Sequence, residues 1–495
     1  MDFRLLLLVK WENLHEFFLL ETSFTFCFTK VGFETHNLQK TCDLIAIFVR
    51  TKKQNLVKIF KRILLLLAVT VIIIVVINYP KLNIISGYSA KNMSSSVFLA
   101  ERTMAFTDST DNNFSPINLA KDKINTKEKY ASSSTLGLLT RKAVYREGLG
   151  SVLVTKGFDL SKNPLVPKRS IADNVTPYPY GNGMQKDSVF SNVNYNQLKT
   201  TVSSLFEEEY ETRAVLVLYK DQIIAEQYGK GFTKDSRILG WSMTKSITST
   251  IYGILQHQGK INVQDKAPVP EWQNDNRKDI TLHNLLQMNS GLEWDENYDK
   301  ISDVTKMLFL EEDMTEMQKN KPLAGTPNAS WNYSSGTSNL LSGILRDQFN
   351  SQQEYLDYWY TDLIDKIGMN SMVVETDLVG HYVASSYAWA TSRDWGKFGL
   401  LYLHRGNWNG AQLFAPEWVD YVTTPTPTST GDYGAQFWLN AEGDMKDVPT
   451  NMFYADGYQG QRVYILPDQE LVIVRFGLKK YNENTFLKGI IQSIQ

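Results

Sequence analysis

Residues 240–260 read GWSMTKSITSTIYGILQHQGK. Gly240 and Gly259 bracket an apolar stripe of Ile247, Ile251, Ile254 and Leu255, a spacing that predicts a helix with one buried face. Ser242 falls in its first turn, where free backbone N–H groups and the positive end of the helix dipole favour developing negative charge. Lys245, three residues on, lies on the same side of the helix. A desolvated lysine there can be neutral enough to take the serine proton, a form of nucleophilic catalysis that needs no histidine. The alternative reading is two ordinary polar residues opening an amphipathic helix. This is the only Ser-x-x-Lys in the chain.

Three further stretches follow in order. DITLHNLLQMNSGLEW (279–294) precedes AGTPNASWNYSSGTSNLLSGIL (324–345), which sets Tyr333 in a Pro/Ser/Gly-rich loop before a helix carrying Leu340, Leu341 and Ile344. A tyrosine beside a Ser/Lys pair can relay a proton between nucleophile and leaving group; the other reading is a surface-loop aromatic. YADGYQGQRVYILPDQELVIVRFG (454–477) puts Gly457 and Gly460 just ahead of a strand, where backbone can approach a substrate closely.

From about residue 210 to the end, the chain resembles the penicillin-recognising serine hydrolases, within them the class C β-lactamase-like branch that holds esterases and 6-aminohexanoate-dimer hydrolases. The resemblance rests on SMTK as the Ser-x-x-Lys box, YSS as the Tyr-x-Asn/Ser box and ADG at the Lys-Thr-Gly position. ITLHNLLQMNSGL, SSYAWATSRDWGKFGLLYL (385–403) and GNWNGAQLFAPEWV (406–419) look like the family's helical segments. It implies an α+β, β-lactamase/transpeptidase-like fold: an antiparallel sheet flanked by helices, plus a helical subdomain. It also implies Ser242 as the acylated nucleophile, Lys245 and Tyr333 sharing general base and acid duties, and the backbone N–H groups of Ser242 and Tyr458 as the oxyanion hole. No metal or organic cofactor is expected. Two departures bear on substrate. Ser335 stands where the second box has Asn, removing a carboxamide that could bind a substrate amide. Ala455 stands where the third box has a basic residue, beside the acidic Asp456, which disfavours carboxylate-bearing β-lactams and peptidoglycan stems and leaves room for a neutral or amine-bearing substrate. Asp456 also reads as a turn residue before Gly457. Ser335, Asp456 and Gly457 are the substrate-binding candidates, with Trp294, Tyr298 or Trp331 as pocket walls.

The remainder of the sequence sets the context. Apolar content of 43% and charged content of 21% across 495 residues are globular values. A net charge of -2 gives no electrostatic reason to expect nucleic acid. The two cysteines, Cys27 and Cys42, precede everything described above, and the six histidines form no HExxH or HxxxH pair, so a thiolate or zinc site is not expected. KIFKRILLLLAVTVIIIVVINYPK (58–81) holds an apolar run from Ile63 to Ile77, interrupted only by Thr70, behind Lys58, Lys61 and Arg62. Residues 58–79 therefore read as a transmembrane anchor, contacting the membrane through residues 60–79, or as a signal segment, with the basic side cytoplasmic and the rest exported to the cell envelope. Residues 1–57 are expected to lie upstream of the true start. Residues 80–184 read as a membrane-proximal lead segment and linker, with short strands in NMSSSVFLAERT (92–103) and RKAVYREGLGSVLV (141–154).

Residues 185–495 are expected to form the hydrolase domain. RAVLVLYKDQIIAEQYG (213–229) predicts a hairpin turning at Lys220-Asp221, QRVYILPDQELVIVRFG (461–477) a second turning at Pro467-Asp468, and NENTFLKGIIQSIQ a final helix. Strands at both ends with helices between suggest one sheet completed by chain-distant hairpins. The leading function is an exported serine hydrolase of small amides or esters. The alternatives are a D,D-peptidase or β-lactamase, and a non-catalytic surface binding or signalling module.

Overall fold

The computed structural model of the chain describes residues 35–155, 164–171, 175–185 and 189–494. The expectations for residues 1–34, Cys27 among them, lie outside the described residues. Two compact units emerge, Met1–Asn78 and Tyr79–Gln495.

In the first unit the described chain is helical, part of a helix α1 that runs Thr35–Phe98. Its side chains from Ile63 to Ile77 are exposed. Thr70 donates to the Leu66 carbonyl at 2.8 Å, so the run's one hydroxyl is satisfied within the helix. Among the described residues, this helix is long and apolar enough to cross a membrane.

In the second unit the last turns of α1, from Tyr79 on, are packed on a mixed face. Ile85, Tyr88 and Met93 are buried, as are Ser86, Ser89, Ser94 and Ser95. Each serine has a partner: Ser86 meets Thr135 at 2.6 Å, Ser89 donates to Asp122 at 2.8 Å, Ser94 accepts from Ser151 at 2.8 Å and Ser95 donates to Glu375 at 2.8 Å. NMSSSVFLAERT is therefore helix through Phe98 and not the expected strand. Ser94 and Ser95 are held by hydrogen bonds to β4 and to Glu375 and Ser96 is buried beside them, so the contact face is polar and leaves no apolar period to read. RKAVYREGLGSVLV does form strands. With β1 (Ala120–Asn125) and β2 (Tyr130–Thr135), β3 (Leu139–Arg146) and β4 (Gly150–Val154) make a four-stranded antiparallel meander.

The main sheet has six antiparallel strands, in the spatial order β7 (Trp438–Leu439), β8 (Phe453–Gly457), β9 (Gln461–Leu466), β10 (Leu471–Gly477), β5 (Thr212–Tyr219), β6 (Gln222–Tyr228). Both expected hairpins are present, β5–β6 through Lys220 and Asp221 at positive φ and β9–β10 through residues 467–470. The C-terminal hairpin inserts beside the first strand of the sheet, with Leu471 opposite Tyr219 and Val474 opposite Leu216. Because side chains alternate along a strand, β5 feeds two cores. Val215, Val217 and Tyr219 pack with helices α2 (Tyr195–Ser204) and α6 (Glu483–Gln492). Ala214, Leu216 and Leu218 face the larger core, which contains α3 (Thr244–His257), α4 (Ser335–Asp347) and α5 (Ser392–Leu403). On α5, a Cβ at Gly399 would stand 2.4 Å from Val472, so glycine there lets the helix lie directly on the sheet. GNWNGAQLFAPEWV is only partly helical: Asn407–Trp408 and Ala411–Gln412 form a small hairpin, and the helix is confined to Glu417–Thr423.

Candidate active site

A short strand, Ile238–Leu239, pairs with Ala388–Ala390 and delivers the chain to Gly240, whose N–H donates to the Ala388 carbonyl at 2.8 Å. Trp241 then adopts φ 49, a left-handed conformation that a bulky residue rarely takes. Such a conformation costs on the order of 1–3 kcal/mol and persists where the surroundings impose it. Here the Trp241 ring is packed against Tyr88, Tyr387 and Tyr458, and its carbonyl accepts from the Thr244 hydroxyl at 2.7 Å. The turn leaves Ser242 half-exposed on the single helical turn Trp241–Met243 that leads into α3. Its N–H belongs to the first turn, where backbone donors lack intrahelical acceptors.

One turn later Lys245 is 1% exposed. Its Nζ donates at 3.0 Å to each of three oxygens: Ser242 Oγ, Ser335 Oγ and the Ser385 carbonyl. Ser335 opens α4 and Ser385 lies on a turn before Ala388, fixed by its N–H donating to Asn339 of α4 at 3.1 Å. Burial depresses the Lys245 pKa to about 8, against the charges of Glu296 and Asp456, which hold it up. Roughly a tenth of the amine is then neutral at pH 7, against well under a thousandth for a free lysine.

Tyr333 meets both. Lys245 Nζ lies 4.8 Å from the centre of its ring, and its phenol is near enough to the Ser242 side chain for that hydroxyl to offset a little of the effect of burial. Burial, Tyr433, Glu296 and Asp456 keep the phenol well above its ordinary pKa, so it stands protonated near neutrality. Between the two, Lys245 is the better resting base, and Tyr333 can give and recover a proton. The three residues picked from distant stretches of sequence therefore share one site.

The far edge of the site is the end of β8. A Cβ at Gly457 would lie 2.1 Å from the Gly240 carbonyl, so only glycine allows the strand and the turn carrying Ser242 to touch. Tyr458 follows at once, its N–H at the start of another single turn and its ring stacked on Tyr298 at 5.5 Å. Asp456 lies within β8, not in a turn, directly opposite Arg462 and ion-paired with it. Burial raises its pKa to about 6. Of the wall candidates, Trp331 clusters with Tyr333, Tyr433 and Trp438, whereas Trp294 is buried beneath Gly336 and donates to Glu296. Ser335 is fully buried against Lys245 and Glu296.

Sequence reading missed Glu296, Ser385 and Arg462. Glu296 sits in DENYD, an acidic loop with no periodicity, and Ser385 acts through its backbone carbonyl, which carries no side-chain signal. Arg462 was legible in part, since a hairpin from β8 to β9 across YQG puts it opposite Asp456.

The sequence profile of the family described as Beta-lactamase matches residues 202–488. The curated 6-aminohexanoate-dimer hydrolase of Paenarthrobacter ureafaciens is 25% identical over 297 residues, spanning 54% of this chain and 73% of that protein. Among solved structures, a Bacillus anthracis protein provisionally assigned as a 6-aminohexanoate-dimer hydrolase matches with a TM-score of 0.52 and 19% identity, over 66% of this chain and 89% of its own. A family VIII carboxylesterase matches with a TM-score of 0.50 and 12% identity, over 62% of this chain and 98% of its own. At these identities the structural likenesses speak to the fold.

Proposed function

Because the chain belongs to the beta-lactamase family, with that family's α+β fold, we propose that it is an exported, membrane-anchored serine hydrolase cleaving small amides or esters through an acyl-enzyme on Ser242. The observation that carries this reading is a buried amine of depressed pKa, 3.0 Å from a half-exposed serine hydroxyl. Neutral Lys245 takes the Ser242 proton as Oγ attacks the substrate carbonyl carbon. The tetrahedral oxyanion is stabilised by the N–H groups of Ser242 and Tyr458. Tyr333 passes the proton to the leaving amine or alkoxide as the C–N or C–O bond breaks. Water then attacks the acyl-enzyme by the reverse sequence of proton transfers.

Ala455 and the acidic Asp456 supply no positive charge for a substrate carboxylate, which supports neutral or amine-bearing substrates over β-lactams. The name of the P. ureafaciens relative, a 6-aminohexanoate-dimer hydrolase, supports an amide substrate. Residues 60–79 are the proposed membrane contact, their apolar side chains exposed behind Lys58, Lys61 and Arg62.

The reaction needs Lys245 as the free base. With pelleted membranes or the detergent-solubilised chain, kcat/KM for a p-nitrophenyl ester is expected to rise about tenfold per pH unit below a midpoint near 8 and to level above it. A flat profile from pH 6 to 9 would contradict Lys245 as the base.

A further inference from the structure

The hydrogen-bond directions around Lys245 raise a question that its distances alone do not answer. A neutral amine has two protons and one lone pair, and three oxygens surround this one at the same distance. Only a lone pair aimed at Ser242 can take its proton. The Ser385 carbonyl has no proton, so it always receives one from the amine. Ser335 is ambiguous: its hydroxyl can accept a proton from Lys245 or donate its own to the lone pair and thereby occupy it.

Glu296 resolves the ambiguity. Its carboxylate accepts from the Ser335 N–H at 2.8 Å and the Ser335 hydroxyl at 2.5 Å, from Trp294 Nε1 at 2.5 Å and from the Tyr298 hydroxyl at 3.4 Å. Four donors converge on two oxygens, an arrangement suited to a group that only accepts. The Tyr298 phenol also reaches Ser335, but its own proton is directed to Glu296.

We propose that Glu296 is a positioning residue: by taking the single Ser335 proton, it leaves that hydroxyl able only to accept from Lys245, so that the amine's two protons go to Ser335 and Ser385 and its lone pair turns to Ser242. The inference rests on Lys245 being the base for Ser242. The charged and titratable groups facing Lys245 are Glu296 from the 291–300 loop, Tyr333 ahead of α4 and Asp456 on β8, the last paired with Arg462.

The test uses the full-length chain and the second-order rate of Ser242 labelling by a fluorophosphonate, which needs no natural substrate. Glu296→Gln keeps the shape but offers an amide that can donate to Ser335, turning the Ser335 proton toward the lysine. Labelling is expected to slow on the order of 100-fold, the low end of what a positioned proton acceptor contributes. Ser335→Ala is expected to slow it similarly, and the double variant to be no slower than the slower single, because one residue acts through the other. Loss of the Glu296 charge also moves the rising limb of the pH profile to lower pH in Glu296→Gln but not in Ser335→Ala, a split that general loosening of the site would not produce.

Labelling of Glu296→Gln within threefold of wild type, or losses that multiply in the double variant, overturns the proposal while leaving Ser242 as nucleophile intact. Absence of labelling in wild type overturns both. Should Glu296→Gln not fold, wild-type rates in Ser335→Ala overturn it alone.

Discussion

Ser242→Ala is expected to lose ester and amide hydrolysis by about 10⁴-fold or more, the scale on which removal of a serine nucleophile acts. The reason is local. Ser242 Oγ belongs to a half-exposed residue, lies 3.0 Å from a buried lysine amine, and has the Tyr333 phenol nearby. The fold has little to lose: Ser242 is half-exposed, and the change gives up the hydrogen bond from Lys245, a cost of about 1–3 kcal/mol. Hydrolysis of a p-nitrophenyl ester and a thermal melt, measured side by side, check both halves. Retention of more than a few per cent of wild-type turnover in the folded variant would mean that another group is acylated.

The second large effect separates catalysis from stability. Lys245→Met is expected to reduce turnover by at least about 10³-fold, since among the described residues Lys245 is the amine hydrogen-bonded to Ser242 and the Tyr333 phenol stands protonated near neutrality. Its effect on stability depends on pH in a defined direction. Lys245 is 1% exposed, and burial lowers its pKa from 10.5 to about 8. Folding therefore disfavours the charged form. The cost is present in full below pH 8, shrinks as pH rises from 8 towards 10.5, and is gone once the unfolded chain is also neutral. A shift of this size corresponds to on the order of 3 kcal/mol. At pH 7 methionine removes that cost but strands the Ser385 carbonyl and two hydroxyls, about 1–3 kcal/mol, so the variant is expected to match wild type or exceed it slightly. By pH 10 wild type should have gained most of the difference and be the more stable. Denaturant melts at pH 7 and pH 10 measure this. Parallel changes in the two proteins would show that Lys245 is not held near neutrality by the fold.

Much of the molecule was legible in the sequence where periodicity or turn chemistry carries it. The β5–β6 hairpin announced itself by two apolar runs around Lys220-Asp221, and α3 by its isoleucines. The Ser-x-x-Lys and Tyr333 stretches were legible because the helix that follows each is strongly patterned. The rest was hidden for identifiable reasons. The end of α1 buries serines against strands and loops, so its contact face reads as polar and the helix passed for strand. Asp456 looked like a turn residue because Gly457 follows it, yet that glycine is needed for close approach to Gly240. Glu296 lies in an irregular acidic loop and gains its meaning only from Ser335, which is 39 positions away along the chain.

The central claim is that Ser242 is the atom on which substrate becomes covalent. Mass spectrometry of the tryptic peptide 238–245, after the native full-length chain has been incubated with a fluorophosphonate at pH 8, tests it most directly. The account predicts the phosphonyl mass on Ser242, formed in native protein, absent after denaturation, and slowed in Lys245→Met. An unmodified peptide, or an adduct on a different serine, would contradict it.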